Sequence, residues 1–197
     1  MRALVVLAHP NPESFNHAIA ARVAATLRSL GHDVVVRDLY AEGFRAAMTA
    51  EEHEAYHGET PVVDPLVAEH ITDLQRADTL IVVYPTWWSS MPAILKGWCE
   101  RIMVPGVGFV FDARGRVRPG IKNIRRLIGV STYGSPRWYV RLSADAGRRT
   151  VMRSMRLSTG WRTRSDWLAM YRMDARSAED CDAFLAACEQ RIRKLAG

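Results

Sequence analysis

Residues 81–102 read IVVYPTWWSSMPAILKGWCERI. The stretch opens as a buried strand. Leu80 to Tyr84 is one apolar run, and Pro85 stops the ladder because it offers no backbone donor. Two tryptophans and two serines follow, and from Pro92 the apolar spacing becomes helical. Large aromatics normally go to cores. Trp87 and Trp88 in a strand-to-helix loop point instead to a surface that holds something flat. The other reading is that one of the pair packs into the following helix as core.

The same alternation runs through the chain. Strands are expected at Ala3–Ala8, Asp33–Leu39, Thr79–Tyr84, Arg126–Ser131 and Ser165–Ala169. Helices are expected at Ser14–Leu30, Pro65–Arg76, Pro92–Met103, somewhere within 140–157, and at Ala178–Leu195. A polar segment spans 46–64, and Phe109–Phe111 is a short extended piece before a turn at Arg114-Gly115. In the C-terminal helix, Cys181, Phe184, Leu185, Cys188 and Ile192 are expected to face inward. Strands of five or six apolar residues without alternation are covered on both faces, which marks a parallel sheet between helix layers. The expected fold is therefore a three-layer α/β/α domain over residues 1–197. Its five parallel strands take the flavodoxin-like order 2-1-3-4-5.

Composition narrows the function. The apolar fraction of 48% supports a full core. No apolar run approaches the ~18 residues of a membrane helix. The start, MRALVVLAHP, reads as a first strand and not as a signal peptide. Cys99, Cys181 and Cys188 form no CxxC pair, so free thiols in a cytoplasmic, reducing setting are expected. There are 27 Lys+Arg against 21 Asp+Glu, and only Lys96, Lys122 and Lys194 are lysines. No nucleic-acid recognition motif accompanies the charge, so no nucleic-acid partner is expected.

In such a sheet the ligand lies beyond the carboxyl ends of the strands, at the switch in strand order. The loops there are HPNPESFNHA (9–18), YPTWWSSMP (84–92) and STYGSPRWY (131–139). The first has neither GxGxxG nor a Walker loop. It does open a helix at Ser14–Asn16, whose free N–H groups suit a phosphate, with His9 as a further donor. Ser14 can equally be a helix cap, and the two roles are compatible.

These segments resemble the NAD(P)H:quinone oxidoreductase family of flavoproteins. LAHPNPESFNHAI, YPTWWSSMPAILKGWCERIMVPGVGF and VSTYGS followed by Tyr139 carry the resemblance, over roughly residues 2–140 and in the family's order. It implies that His9, Ser14, Phe15 and Asn16 hold the flavin phosphates. Pro85, Thr86, Trp87, Trp88 and Ser89 would hold the isoalloxazine, with Pro85 turning backbone N–H groups toward the ring. Ser131, Thr132, Tyr133 and Gly134 would touch its polar edge. Tyr139 would manage the proton as NAD(P)H reduces the flavin and a quinone, nitro or azo acceptor reoxidises it. The family's mammalian members carry a His six residues after that tyrosine, and here the position is Asp145. Phe109 and Phe111 would line a greasy acceptor pocket near the partner subunit of a homodimer. The Ser-Phe-Asn loop is similar to FAD-binding members, with FMN the second choice. Two alternatives remain beside the enzyme: an ancillary subunit of a potassium-efflux system, and a flavodoxin-type electron carrier, which is usually acidic where this chain is basic.

Other signals carry less. HEAYH (53–57) has zinc-protease spacing, but Gly58 breaks the helix directly after the second His, so no metal is expected. Arg148, Arg149 and Arg153 read as a solvated face before they read as a phosphate catcher. Cys99 reads as a core thiol, and His17 is as consistent with an exposed position as with a functional one.

Overall fold

A computed structural model describes residues 1–196. In chain order, β1 is Arg2–Leu7, α1 Phe15–Ser29, β2 Asp33–Asp38, α2 Ala50–Ala55, α3 Pro65–Arg76, β3 Thr79–Pro85 and α4 Ala93–Ile102. Then come β4 (Phe109–Phe111), β5 (Val117–Pro119), β6 (Arg126–Tyr133), α5 (Arg137–Leu142) and α6 (Ala146–Arg149). A π-helical segment (Thr150–Met155) runs into α7 (Arg156–Thr159), followed by β7 (Arg164–Tyr171), a 3-10 turn (Met173–Ala175) and α8 (Ala178–Ala196).

Five strands form one sheet in the order β2-β1-β3-β6-β7, every pair parallel. This is the expected 2-1-3-4-5 topology, with β6 and β7 as its fourth and fifth strands. The antiparallel β4–β5 hairpin forms a separate two-stranded sheet.

Successive residues of a strand point to opposite layers. Ile81 and Val83 join Val5, Ile128 and Val130 against Ile19 and Val23 of α1 and Cys188 and Ile192 of α8. Leu80, Val82 and Tyr84 face the other layer, with Leu74 of α3, Leu95 and Trp98 of α4, and Val151 and Met155 of the π segment. Phe184 and Leu185 pack on the first layer as expected, while Cys181 stays half-buried outside that core.

Three departures have local causes. The polar segment 46–64 contains α2, which Thr49 and Glu52 cap reciprocally. Buried Arg101 of α4 tethers that segment, its Nε donating to Glu52 at 2.8 Å and its Nη2 to both Glu52 and Asp64. His53 and His57 of HEAYH are both exposed. The helix expected within 140–157 runs from Ala146 to Thr159 with a π-helical middle, and a separate α5 precedes it because Ala144 and Asp145 are left-handed at φ 68° and 45°. The ends of β3, β6 and β7 lie further along than expected, while β1 and β2 stop one residue short. Pro85 still pairs with Thr132, and β6 continues through Tyr133.

Candidate active site

At the carboxyl edge of the sheet lies a cavity of about 270 Å³. Thr86, Trp88, Ser89, Tyr133, Gly134 and Tyr139 line it, all of them expected at the site. Ser135, the last residue of VSTYGS, completes the lining together with Val140 and Ser143, which carried no motif in the sequence. The cavity sits where β3 and β6 end, beside the switch in strand order, as the fold requires.

The tryptophan loop is a tight turn. Trp87 N–H donates to Ser90 O and Ser90 N–H to Trp87 O, each at 2.9 Å. Trp88 and Ser89 between them have φ of 47° and 60°. Positive φ at both central residues is the geometry normally given to Asn-Gly, and a bulky residue there is strained. Neither tryptophan packs as core. Trp88 is 100% exposed, and Trp87 is half-open with its ring 6.0 Å from that of His9. The tryptophan that α4 buries is Trp98, whose Nε1 donates to His70 Nδ1 at 2.9 Å.

The free backbone donors also differ from expectation. Pro85 is the last residue of β3 and still inside the ladder, and Thr86 N–H is spent on Thr132 O at 2.7 Å. Within the turn, the N–H groups of Trp88 and Ser89 at its tip have no acceptor among the described residues. Behind it, the Thr86 and Ser131 hydroxyls pair at 2.9 Å. Ser131 and Thr132 are buried within β6 and form the backing of the site.

The first loop is organised around α1. Ser14 caps the helix by accepting from His17 N–H, and its hydroxyl lies 2.9 Å from His17 Nδ1. His17 Nε2 lies 2.9 Å from Asp38, so His17 is neither idle nor fully exposed. His9 Nδ1 accepts from Asn11 N–H at 3.1 Å, which leaves Nε2 as the donor of a neutral ring. Burial pulls the His9 imidazole below its ordinary value. Asn16 is buried with its Nδ2 donating to Thr132 Oγ1 at 3.1 Å. Its Oδ1 is cut off from solvent and has no partner. Either orientation of the amide leaves one polar atom unmet. Phe15 packs against Phe184 of α8 at 6.1 Å, which places its ring on the α1–α8 side.

Tyr133 and Asp145 form a second element. The Tyr133 hydroxyl donates to Asp145 Oδ1 at 3.1 Å, and its ring stacks on Tyr171 at 4.8 Å. Burial pushes the Tyr133 phenol well up, and the Asp145 carboxylate adds to it. Burial also raises Asp145, against the opposing Tyr133 hydrogen bond. The residue in the place of the family's His therefore engages Tyr133. The Tyr139 hydroxyl makes no hydrogen bond within the described residues, and its ring lies edge-on to Trp138. Phe109 and Phe111 meet edge to face on the β4–β5 hairpin and do not line this cavity.

The site thus offers a flat cleft with one free phenol, a helix N-terminus beside a neutral histidine, and an unmet buried amide. These groups suit a planar ligand with a phosphate tail. A family model described as the flavodoxin-like fold matches residues 1–195, and the chain belongs to that family. It is 33% identical to rat (Rattus norvegicus) NAD(P)H dehydrogenase [quinone] 1 over 153 residues, covering 70% of this chain and 56% of the rat protein. It is 28% identical to mouse (Mus musculus) ribosyldihydronicotinamide dehydrogenase [quinone] over 98% of this chain and 91% of that protein. These relatives bear out the resemblance carried by the three loops. In fold it matches an FMN-dependent NADH-azoreductase of Bacillus anthracis solved with FMN, at a TM-score of 0.76, 16% identity and 100% coverage of both chains.

Proposed function

We propose that this chain is a flavin-dependent NAD(P)H oxidoreductase that reduces a quinone or a similar small acceptor. The observation that carries the reading is the cavity at the end of β3 and β6, lined by Trp88 and Tyr139, with the turn-tip N–H groups of Trp88 and Ser89 unspent. When bound, a flavin would supply the two-electron chemistry that links NAD(P)H to the acceptor.

The chain's own residues bind, orient and handle the proton. His9, through Nε2–H, and the N-terminus of α1 capped by Ser14 hold the phosphate. Asn16 meets the cofactor with its free amide atom. Thr86 is held in place by Ser131, and the Trp88 and Ser89 N–H groups contact the polar edge of the ring. Tyr133 is fixed by Asp145, so its proton is not available. Tyr139 has no competing partner, and its hydroxyl holds or gives the proton as negative charge develops on the acceptor. Phe109 and Phe111 do not line this cavity in their own chain, and in a homodimer a second copy would bring its pair to the acceptor. The Ser-Phe-Asn loop supports FAD, and the FMN of the Bacillus azoreductase supports FMN as the second choice.

The test is an absorbance spectrum of protein loaded with flavin and desalted. Retained flavin absorption, bleached by NADPH and restored by a soluble benzoquinone, is the expected result, and the released flavin is then identified. A protein that retains no flavin sinks the proposal. Retention without bleaching by either NADH or NADPH leaves a binding module in its place.

A further inference from the structure

The opposite edge of the sheet has its own unexplained chemistry. A cavity of about 550 Å³ there is lined by Lys122, Arg125, Arg126, Arg162 and Arg164. Among the described residues, none of these five side chains forms an ion pair or a hydrogen bond with the protein. Several arginines elsewhere are paired, such as Arg37 with Asp73, Arg101 with Glu52 and Arg118 with Asp112, while Arg141, Arg148, Arg149 and Arg153 line another cavity without an ion pair among the described residues. The nearest carboxylates are already used. Asp78 accepts from Arg2 N–H and the Thr79 hydroxyl, and Asp166 is bound by Arg191.

Two observations make the cluster costly as it stands. Arg126 and Arg164 are register partners at the start of adjacent parallel strands, so their side chains leave the same face side by side. Like charges so placed are destabilising. In addition, Arg126 Nη1 is shut off from solvent with no hydrogen-bond partner. The frame beneath is fixed. Arg125 and Arg126 N–H both donate to Asp78 O, Arg164 N–H donates to Arg125 O at 2.9 Å, and Asn123 pins the approach through Leu74 O and Ala77 O.

We propose that the amino edge of the sheet is a second binding site, specific for a compact polyphosphate anion such as inorganic tripolyphosphate or the phosphate chain of a nucleotide. Guanidinium forks match phosphate oxygens two at a time, and an anion of several charges is needed to balance five cations. The cations converge on one cavity of ligand size. No aromatic lines it, so it lacks the stacking platform of a single-strand nucleic-acid groove. Arg126 and Tyr133 cap opposite ends of β6, about 23 Å apart, so a ligand here leaves the flavin cavity free.

Calorimetric titration of inorganic tripolyphosphate into the flavin-loaded protein tests this. The expected result is one saturable site per chain that weakens steeply with salt. R126Q/R164Q should lower the affinity at least tenfold, raise the melting temperature of the ligand-free protein, and leave flavin content and quinone turnover unchanged. If that pair fails to fold, R125Q/R162Q should show the same loss of affinity. Absence of saturable binding at low salt, or unchanged affinity in the variants, overturns the proposal. So does tighter binding of a single-stranded oligonucleotide at equal charge. Flavin content is read independently, so failure here is separable from failure of the reductase reading.

Discussion

Asn16 is a residue at the site whose buried chemistry is incomplete among the described residues. It is buried, one amide atom is matched to Thr132, and the other is unmet. An unsatisfied buried polar group costs about 1–3 kcal/mol, and a cofactor that meets it recovers that. N16L should therefore change the stability of the flavin-free protein by no more than about 1 kcal/mol while weakening flavin binding at least tenfold. Urea unfolding and flavin titration check the two halves. A stability loss with unaltered flavin affinity would make Asn16 merely structural. Tyr139 poses the complementary case, since its hydroxyl makes no hydrogen bond among the described residues. Y139F should leave flavin retention and bleaching by NADPH intact and slow the quinone half-reaction tenfold or more. Stopped-flow reoxidation with equal rates for both proteins would remove Tyr139 from the mechanism. The sequence pointed to both residues through the loops they sit in. It could not show that Asp145 engages Tyr133, because that contact spans two loops and depends on a left-handed Asp145.

At the scale of elements, the turn at 87–90 is held by its neighbours. Ala146 N–H donates to Ser89 O at 3.1 Å as α6 begins. Gly147 lets that helix approach, since a Cβ there would lie 2.9 Å from Met91 N and 3.0 Å from Tyr84 Oη. The strained φ of Trp88 and Ser89 persists because this docking leaves no other path. G147V should push α6 off the turn, lowering flavin affinity tenfold or more, with the circular dichroism of the sheet preserved. S89G should relieve strain and stabilise the flavin-free protein by about 0.5–1 kcal/mol. A thermal melt with no gain would mean the turn stores nothing. The strand-turn-helix outline around this turn was legible from apolar spacing. Its φ values were not, because Trp-Ser carries none of the usual signals of a left-handed pair. Pro85 misled for a similar reason: it lacks a donor, yet its carbonyl and φ let it remain in β3 opposite Thr132.

For the whole molecule, buried titratable groups set the response to acid. His70 is fully buried, and burial holds its imidazole below the ordinary value against the opposing pull of Glu42. Trp98 occupies Nδ1, and Nε2 lies 2.7 Å from Glu42. The unfolded chain protonates this ring at about pH 6.5 and the native state only lower, so stability should fall as pH drops below about 6.5. Glu52 and Asp64 are raised by burial but pulled further down by Arg101, ending below the ordinary carboxylate range. Their contribution is present above the unfolded carboxylate value and lost as acid reaches the native one. Urea midpoints at pH 7.5, 6, 5 and 4 (about these values) should decrease throughout. A midpoint that rises between the first two would contradict the neutral His70. None of this network was visible in the sequence, where Arg101, Glu52 and Asp64 lie in segments read as unrelated. The topology was visible, because uniform apolar strands and helical spacing each encode which layer they face. Trp88 adds a last consequence. An indole open to water on every side emits at the red edge of the protein's fluorescence, and a flavin seated against it would drain that light. The molecule carries its own gauge of occupancy, which W88F would dim while the exposed Trp138 and Trp161 keep emitting.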